Sequence, residues 1–249
     1  MPSVSSSPSL QICRTCGGGA PIDVHFCPQC TKILSLGRHG DYFAFLGVPR
    51  KLNLDSRELE QRFRSLSRQF HPDYFYNASA AERVASLERS SYLNDAYRTL
   101  KHPIPRITYL LELEGVLTAA DHSQGNASKQ VPPALLEEVF ALNEELDEVR
   151  ELRESGAPAE QWRLRLQGAA KPIEAKRAEH EDQLRTLAAR WDALEKGANP
   201  EERKAVLSAL RERMLERNYI NNLLGTIQRE LDGSGLQASG SGPGPGPEV

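Results

Sequence analysis

The chain has no stretch approaching the run of about 18 apolar residues that crosses a bilayer, so a membrane-spanning protein is not expected. Its opening MPSVSSSPSLQI has neither the basic nor the apolar segment of a secretory signal. It also has no arginine ahead of Cys13 of the kind a mitochondrial transit peptide carries. A soluble, non-secreted chain is expected, cytoplasmic in a bacterium, or in the mitochondrial matrix if a leader has been removed. Net charge is also scarce: 31 lysines and arginines face 34 aspartates and glutamates, a formal −3. There is no overall basic field to draw in a nucleic-acid backbone, so electrostatic partnerships must be local. No internal repeat is present, and no β-rich segment outside the cysteine-bearing stretch. With 39% hydrophobic and 26% charged residues in 249, the composition is globular and long enough for two or three modules.

Cysteine is absent from everything after position 30. All four fall in CRTCGGGAPIDVHFCPQC, as two C-x-x-C knuckles joined by a ten-residue loop: Cys13, Cys16, Cys27 and Cys30. Paired thiolates on tight turns, the first followed by Gly17-Gly18-Gly19 and the second holding Pro28, can close a tetrahedral four-thiolate zinc site of zinc-ribbon or rubredoxin-like type. The alternatives are disulfides or a redox C-x-x-C, but the latter should open a helix inside a βαβ pattern, and none surrounds it. His25 in the loop reads as a spectator to the metal. A segment this small buries little apolar area, so metal would supply most of its folding free energy. Four protein thiolates leave no open position for substrate, which makes the site structural. A nucleic-acid-binding ribbon is the rival reading, yet Arg14 is the only fixed cation between Cys13 and Cys30.

From Asp41 onward the pattern is helical. Asp41–Val48 reads as a short helix closed by Gly47. Asp55 with Glu58 three residues later reads as a capping box. Leu59, Phe63, Leu66 and Phe70 then share one helix face, with Arg57, Arg64 and Arg68 clustered opposite. Pro72 ends that helix near Phe70. A second, antiparallel helix is predicted from Ala80 to Leu100, with Val84, Leu87, Leu93, Ala96, Tyr97 and Leu100 inward. KHPIPRITYLLELEG leads out of this unit. Three long helices follow: Ala134 to Glu154, Pro158 to Lys196 with a kink or restart at Pro172, and Pro200 to Leu231. Leu135, Val139, Leu142, Leu146 and Val149 form a core seam. Leu136 and Phe140 fall on a neighbouring stripe that runs into Glu144 and Glu148, a plausible docking strip. The Gly/Pro/Ser-rich close should be disordered.

The sequence FRSLSRQFHPD, a basic-faced helix ending in His71-Pro72-Asp73, followed by aromatics and a second helix, resembles the J domain of DnaJ-type co-chaperones over Asp41 to Lys101. The resemblance implies docking on a DnaK-class ATPase chaperone and stimulation of its ATP hydrolysis. Asp73 would accept hydrogen bonds from a partner cation, Pro72 hold the turn and His71 orient the pair. Arg64 matches the family's basic position, while Arg57 and Arg68 join it on geometry and suit an acidic groove. An acid–base enzyme would need more convergent polar groups than one His–Asp pair.

General J proteins carry a Gly/Phe-rich linker and β-rich client domains, and neither is seen. SYLNDAYRTLKHPIPRITYLLELEG and LNEELDEVR instead resemble HscB-type co-chaperones of iron-sulfur cluster assembly, a subset of which begins with a tetracysteine module. That resemblance implies an all-α fold: a J domain plus a C-terminal three-helix bundle, behind a small zinc-ribbon-like module. The expected divisions are 1–36 for the Ser-rich start and metal module and 37–115 for the J domain and connecting helix. A linker follows at 116–132, the bundle at 133–232 and a disordered tail at 233–249. It implies no enzyme activity of the chain's own, a DnaK/HscA-class chaperone partner, and an IscU-type scaffold bound through Leu136, Phe140, Glu144, Glu148 and Tyr219. No nucleic acid or membrane partner is implied. Glu137 stands where that family can place an apolar residue, and Ala141 where it can place an acid. The region from Asp41 to Arg106 holds 11 basic and 8 acidic residues, that from Pro132 to Asp232 16 and 21, an asymmetry suited to two different partners. The rival function is a general DnaJ-type co-chaperone with another client.

Overall fold

Two short strands and seven helices make up the regular structure of the computed structural model, which describes residues 10–22, 24–36, 41–117, 131–194 and 199–232. The expected disordered tail at 233–249 and all but the ends of the expected 116–132 linker lie outside the described residues. The described chain divides into two units. One comprises the chain up to Gly115 together with Trp191–Lys196; the other comprises Val116–Arg190 and the chain from Gly197. None of the described helices is long and apolar enough to cross a membrane.

In the first unit, β1 (Leu10–Ile12) pairs antiparallel with β2 (Gly19–Pro21), Gln11 opposite Ala20. Helix α1 (Tyr42–Leu46) starts at Asp41, whose carboxylate accepts the Ala44 N–H at 2.9 Å. It stops at Gly47, whose φ of 67° is left-handed backbone that favours glycine. Helix α2 (Ser56–Phe70) is capped by Asp55, which accepts from the N–H groups of Arg57 and Glu58. The reciprocal half of the expected capping box is not made, because Glu58 turns to Arg62 at 3.4 Å. The full box forms at α3 (Ala80–Lys101) instead: Ser79 and Glu82 satisfy each other's backbone N–H. Helix α4 (Pro103–Leu113) closes the unit. Its buried Arg106 donates to the carbonyls of Leu100 and Leu52, occupying one of the last acceptors of α3.

The core beneath these helices joins Phe43, Phe45, Leu46, Leu59, Phe70, Leu93, Ala96 and Leu100, and includes Ile33 from the cysteine segment. Leu59 and Phe70 are buried and Phe63 and Leu66 half-buried, as the α2 periodicity requires. On α3 the expected inward face is corrected. Val84 and Leu87 are 53% and 58% exposed. The buried face of the first half is Glu82, Ala85, Ser86 and Arg89. Apolar periodicity misses it because here the helix turns polar groups inward to meet backbone carbonyls.

In the second unit a 3-10 turn (Pro133–Leu135) leads into α5 (Leu136–Glu154), followed by α6 (Ala159–Ala193), whose last three residues group with the first unit, and α7 (Pro200–Leu231). Leu135, Leu142, Leu146 and Val149 meet Leu166 and Ile173 of α6 and Ile220 and Ile227 of α7 in one buried cluster. Val139, placed in that seam by sequence, is half-buried. Pro172 sits inside α6, which runs through it without a restart.

Candidate functional site

Helix α2 ends because Pro72 has no N–H to donate and restricts the residue before it. Termination leaves the last carbonyls of α2 in want of donors. Helix α3 supplies them: the hydroxyls of Ser86 and Ser90 donate to the Phe70 carbonyl at 2.6 and 3.0 Å. Beyond Phe70, Pro72–Phe75 makes a 3-10 turn. The Asp73 N–H donates to His71 Nδ1 at 3.3 Å and the Tyr74 N–H to the His71 carbonyl at 3.0 Å. An accepting Nδ1 puts the proton of the neutral ring on Nε2.

The His71 and Asp73 side chains are 52% and 88% exposed, with Nδ1 and Oδ2 3.5 Å apart. Tyr74 and Tyr76 are exposed beside them. Ser67, Arg68, His71, Asp73 and Tyr74 line a shallow depression of about 230 Å³. Arg57, Arg64 and Arg68 are all exposed on α2. Arg64 is engaged along the helix with Glu60 at 2.6 Å, a surface pair of a kind worth about 0.3–0.5 kcal/mol.

The four cysteines come together. Sγ of Cys13 lies 3.7 Å from that of Cys30, and Sγ of Cys16 lies 3.7 Å from that of Cys27. All four sulfurs lie within 4.8 Å of one another. A tetrahedron of metal–sulfur bonds of about 2.3 Å has edges of about 3.8 Å, so the thiol set fits a metal ion. Disulfide sulfurs sit about 2.05 Å apart, and all four cysteines are free thiols. The turn after each knuckle requires positive φ, met by Gly17 at 73° and by Thr31 at 58°. In the first knuckle the Cys16 N–H bonds the Cys13 sulfur and, against the opposing effect of burial, pulls that thiol down to about 6. The Cys30 N–H lowers Cys27 in the same way. For Cys30 the Lys32 N–H also works downward, but burial and the neighbouring thiols push it up to about 12.

His25 stands outside the thiol cluster, yet it is more than the bystander its sequence position indicated. Its ring meets Phe45 and Phe70 edge-on, with centroids at 4.8 and 4.9 Å. Its Nδ1 lies 2.7 Å from Nη1 of Arg89. Arg89 also donates to the carbonyls of Leu34 and Ser35, at 2.7 and 3.2 Å. Burial pulls the guanidinium down to about 10, still cationic at neutral pH. Sequence reasoning gives Arg89, Ser86 and Ser90 no role and reads His25 only as a spectator to the metal. The signal available was the polar stripe in ASLERSS, three polar residues at helical spacing inside a helix that should bury that face.

In the second unit Leu136 is 39% and Phe140 70% exposed, whereas Leu135, beside Leu136, is fully buried. Glu144 is exposed. Glu148, half-buried, pairs with Arg165 of α6, which also donates to Glu145 at 3.0 Å. Tyr219 is half-buried against the bundle core. Glu137 and Ala141 line a cleft of about 400 Å³ with Gly168, Ala169 and Pro172.

The site is thus an exposed His-Pro-Asp turn joining two helices whose junction is held by the hydroxyls of Ser86 and Ser90, with a bundle of long helices further along the chain. No protein-family model matches the chain. Among solved structures it is similar to human co-chaperone protein HscB, with 25% identity and a TM-score of 0.61, over 88% of this chain and 98% of that one. It is similar also to chaperone HscB from Vibrio cholerae, with 26% identity and a TM-score of 0.52, over 78% of this chain and 99% of that one. The structural relatives of this chain are thus HscB co-chaperones, and the fold is all-α with a tetracysteine group near its N-terminus.

Proposed function

We propose that the chain is a co-chaperone of iron-sulfur cluster assembly that brings an IscU-type scaffold to a DnaK/HscA-class chaperone and stimulates that chaperone's ATPase. The observation that carries the reading is the exposure of His71 and Asp73 at the mouth of a hairpin whose α2 presents Arg57, Arg64 and Arg68 to solvent. Charge complementarity of that kind steers encounter and fixes register. The chain performs no chemistry of its own: its work is to hold two proteins at once. The likeness to HscB co-chaperones along most of the chain supports this assignment over a general DnaJ-type role.

On this reading Leu136, Phe140, Glu144, Glu148 and Tyr219 form the scaffold-binding face, in which exposed apolar anchors run into acids. The tetracysteine site holds zinc through Cys13, Cys16, Cys27 and Cys30, where the ion supplies the cross-link that folds a segment too small to fold on its core alone. The test is Asp73→Asn with purified chaperone and scaffold. Loss of ATPase stimulation with scaffold affinity unchanged is expected. Undiminished stimulation overturns the J-type assignment.

A further inference from the structure

Arg89 has none of its surface exposed, and a buried guanidinium is tolerated only where its donors are met. The cysteine segment brings it the Leu34 and Ser35 carbonyls and the imidazole of His25. A guanidinium offers only donors, so Nδ1 of His25 must accept. The same guanidinium lies over the ring of Phe70, 5.7 Å from its centroid. Phe70 is the residue immediately before His71, it is fully buried, and the rings of His25, edge-on, and Phe26, tilted, pack against it with centroids at 4.9 and 6.1 Å. A second tie, Lys32 to Glu82 at 3.1 Å, joins the same segment to the start of α3. The carbonyl of this last residue of α2 is held by α3, but two of its ring neighbours and the acceptors of the guanidinium over it come from a small segment that a metal cross-link would fold.

We infer that the tetracysteine module sets the conformation of the His71-Pro72-Asp73 loop, with His25 and Arg89 as positioning residues, so that metal loading governs whether the loop is held in its docking form. When the module opens, Arg89 loses buried acceptors and Phe70 loses ring partners. The end of α2 then loosens, while the second unit has no part in the change. The inference rests on the proposed function for the metal held by the four thiolates and for its consequence at a chaperone.

The test is hydrogen–deuterium exchange on the full-length chain alone, loaded with zinc or stripped by a chelator. Stripping is expected to raise exchange of the amides across 67–76 about tenfold or more and to leave 142–149 of the bundle unchanged. Arg89→Met should bind zinc but show fast exchange across 67–76 in both states, having lost the response to metal. Should that variant not fold, His25→Ala keeps every thiolate and both carbonyl bonds of Arg89, and is expected to raise loaded-state exchange across 67–76 about threefold. Exchange across 67–76 that stays within about twofold on stripping, while amides 13–34 open, overturns the inference. So does an Arg89→Met protein that retains the wild-type metal response. Because no partner is present, a chaperone that ignores this protein sinks the proposed function and leaves the coupling standing.

Discussion

Nε2 of His180 lies 3.1 Å from Oε2 of Glu216, and both side chains are almost wholly buried between α6 and α7. Arg213 also holds Glu216, at 2.7 and 3.0 Å, so the carboxylate's charge is answered without help from the imidazole. Burial, with Arg213 and Lys176 nearby, lowers the His180 pKa from 6.5, an effect that Glu179 and Glu138 oppose only in part.

A pH dependence of the bundle follows. The unfolded chain takes up the His180 proton near 6.5 while the folded chain resists it, so stability is complete above that value and falls as pH drops through the folded pKa. Glu216 runs the other way: burial raises it above 4.5, so its uptake of a proton in the folded state offsets part of the loss at the acid end. Urea midpoints are expected to fall between about pH 7.5 and about pH 5.5. His180→Gln is expected to flatten that slope.

The exposed apolar residues of α5 should separate the proposed scaffold binding from stability. Leu136→Ala and Phe140→Ala are each expected to weaken scaffold affinity by about 1–3 kcal/mol. Calorimetric titration measures this. Thermal midpoints should stay near wild type, because both side chains face solvent. A large fall in midpoint would place them in the core.

Helix α3 offers a direct test of its corrected face. Leu93 is 1% exposed, and Leu93→Ala is expected to cost about 2–5 kcal/mol in denaturant unfolding. Val84→Ala and Leu87→Ala, on the face that hydrophobic periodicity assigned to the core, should each cost under about 1 kcal/mol.

Removing one thiolate should empty the proposed zinc site. Cys27→Ser is expected to reduce bound zinc from about one ion per chain to none, read by atomic emission on desalted protein. Retention of a full equivalent would show that three thiolates suffice.

Much was legible in the sequence for a physical reason. The ends of α2 follow from Asp55 and Pro72, residues that act on their own backbone, and the close of α1 from Gly47. The four-thiolate cluster follows from C-x-x-C spacing, because two tight turns each present a sulfur pair. The exposure of Phe140 beside the buried Leu142 follows from the rotation of a helix by about 100° per residue. These are local rules, and they need only neighbours along the chain.

What required the tertiary structure was where buried polar groups find partners. Nothing in ASLERSS says that Ser86 and Ser90 meet the carbonyl of Phe70, or that Arg89 is answered by Leu34, Ser35 and His25, more than fifty residues away. Val84 and Leu87 face solvent, against the apolar periodicity, for the same reason: an apolar stripe marks the buried face only when burial is apolar. Local chemistry determined the elements and the candidate sites, while the fold decided which of them are wired together, because a buried charge takes its acceptors from whatever backbone the chain brings beside it.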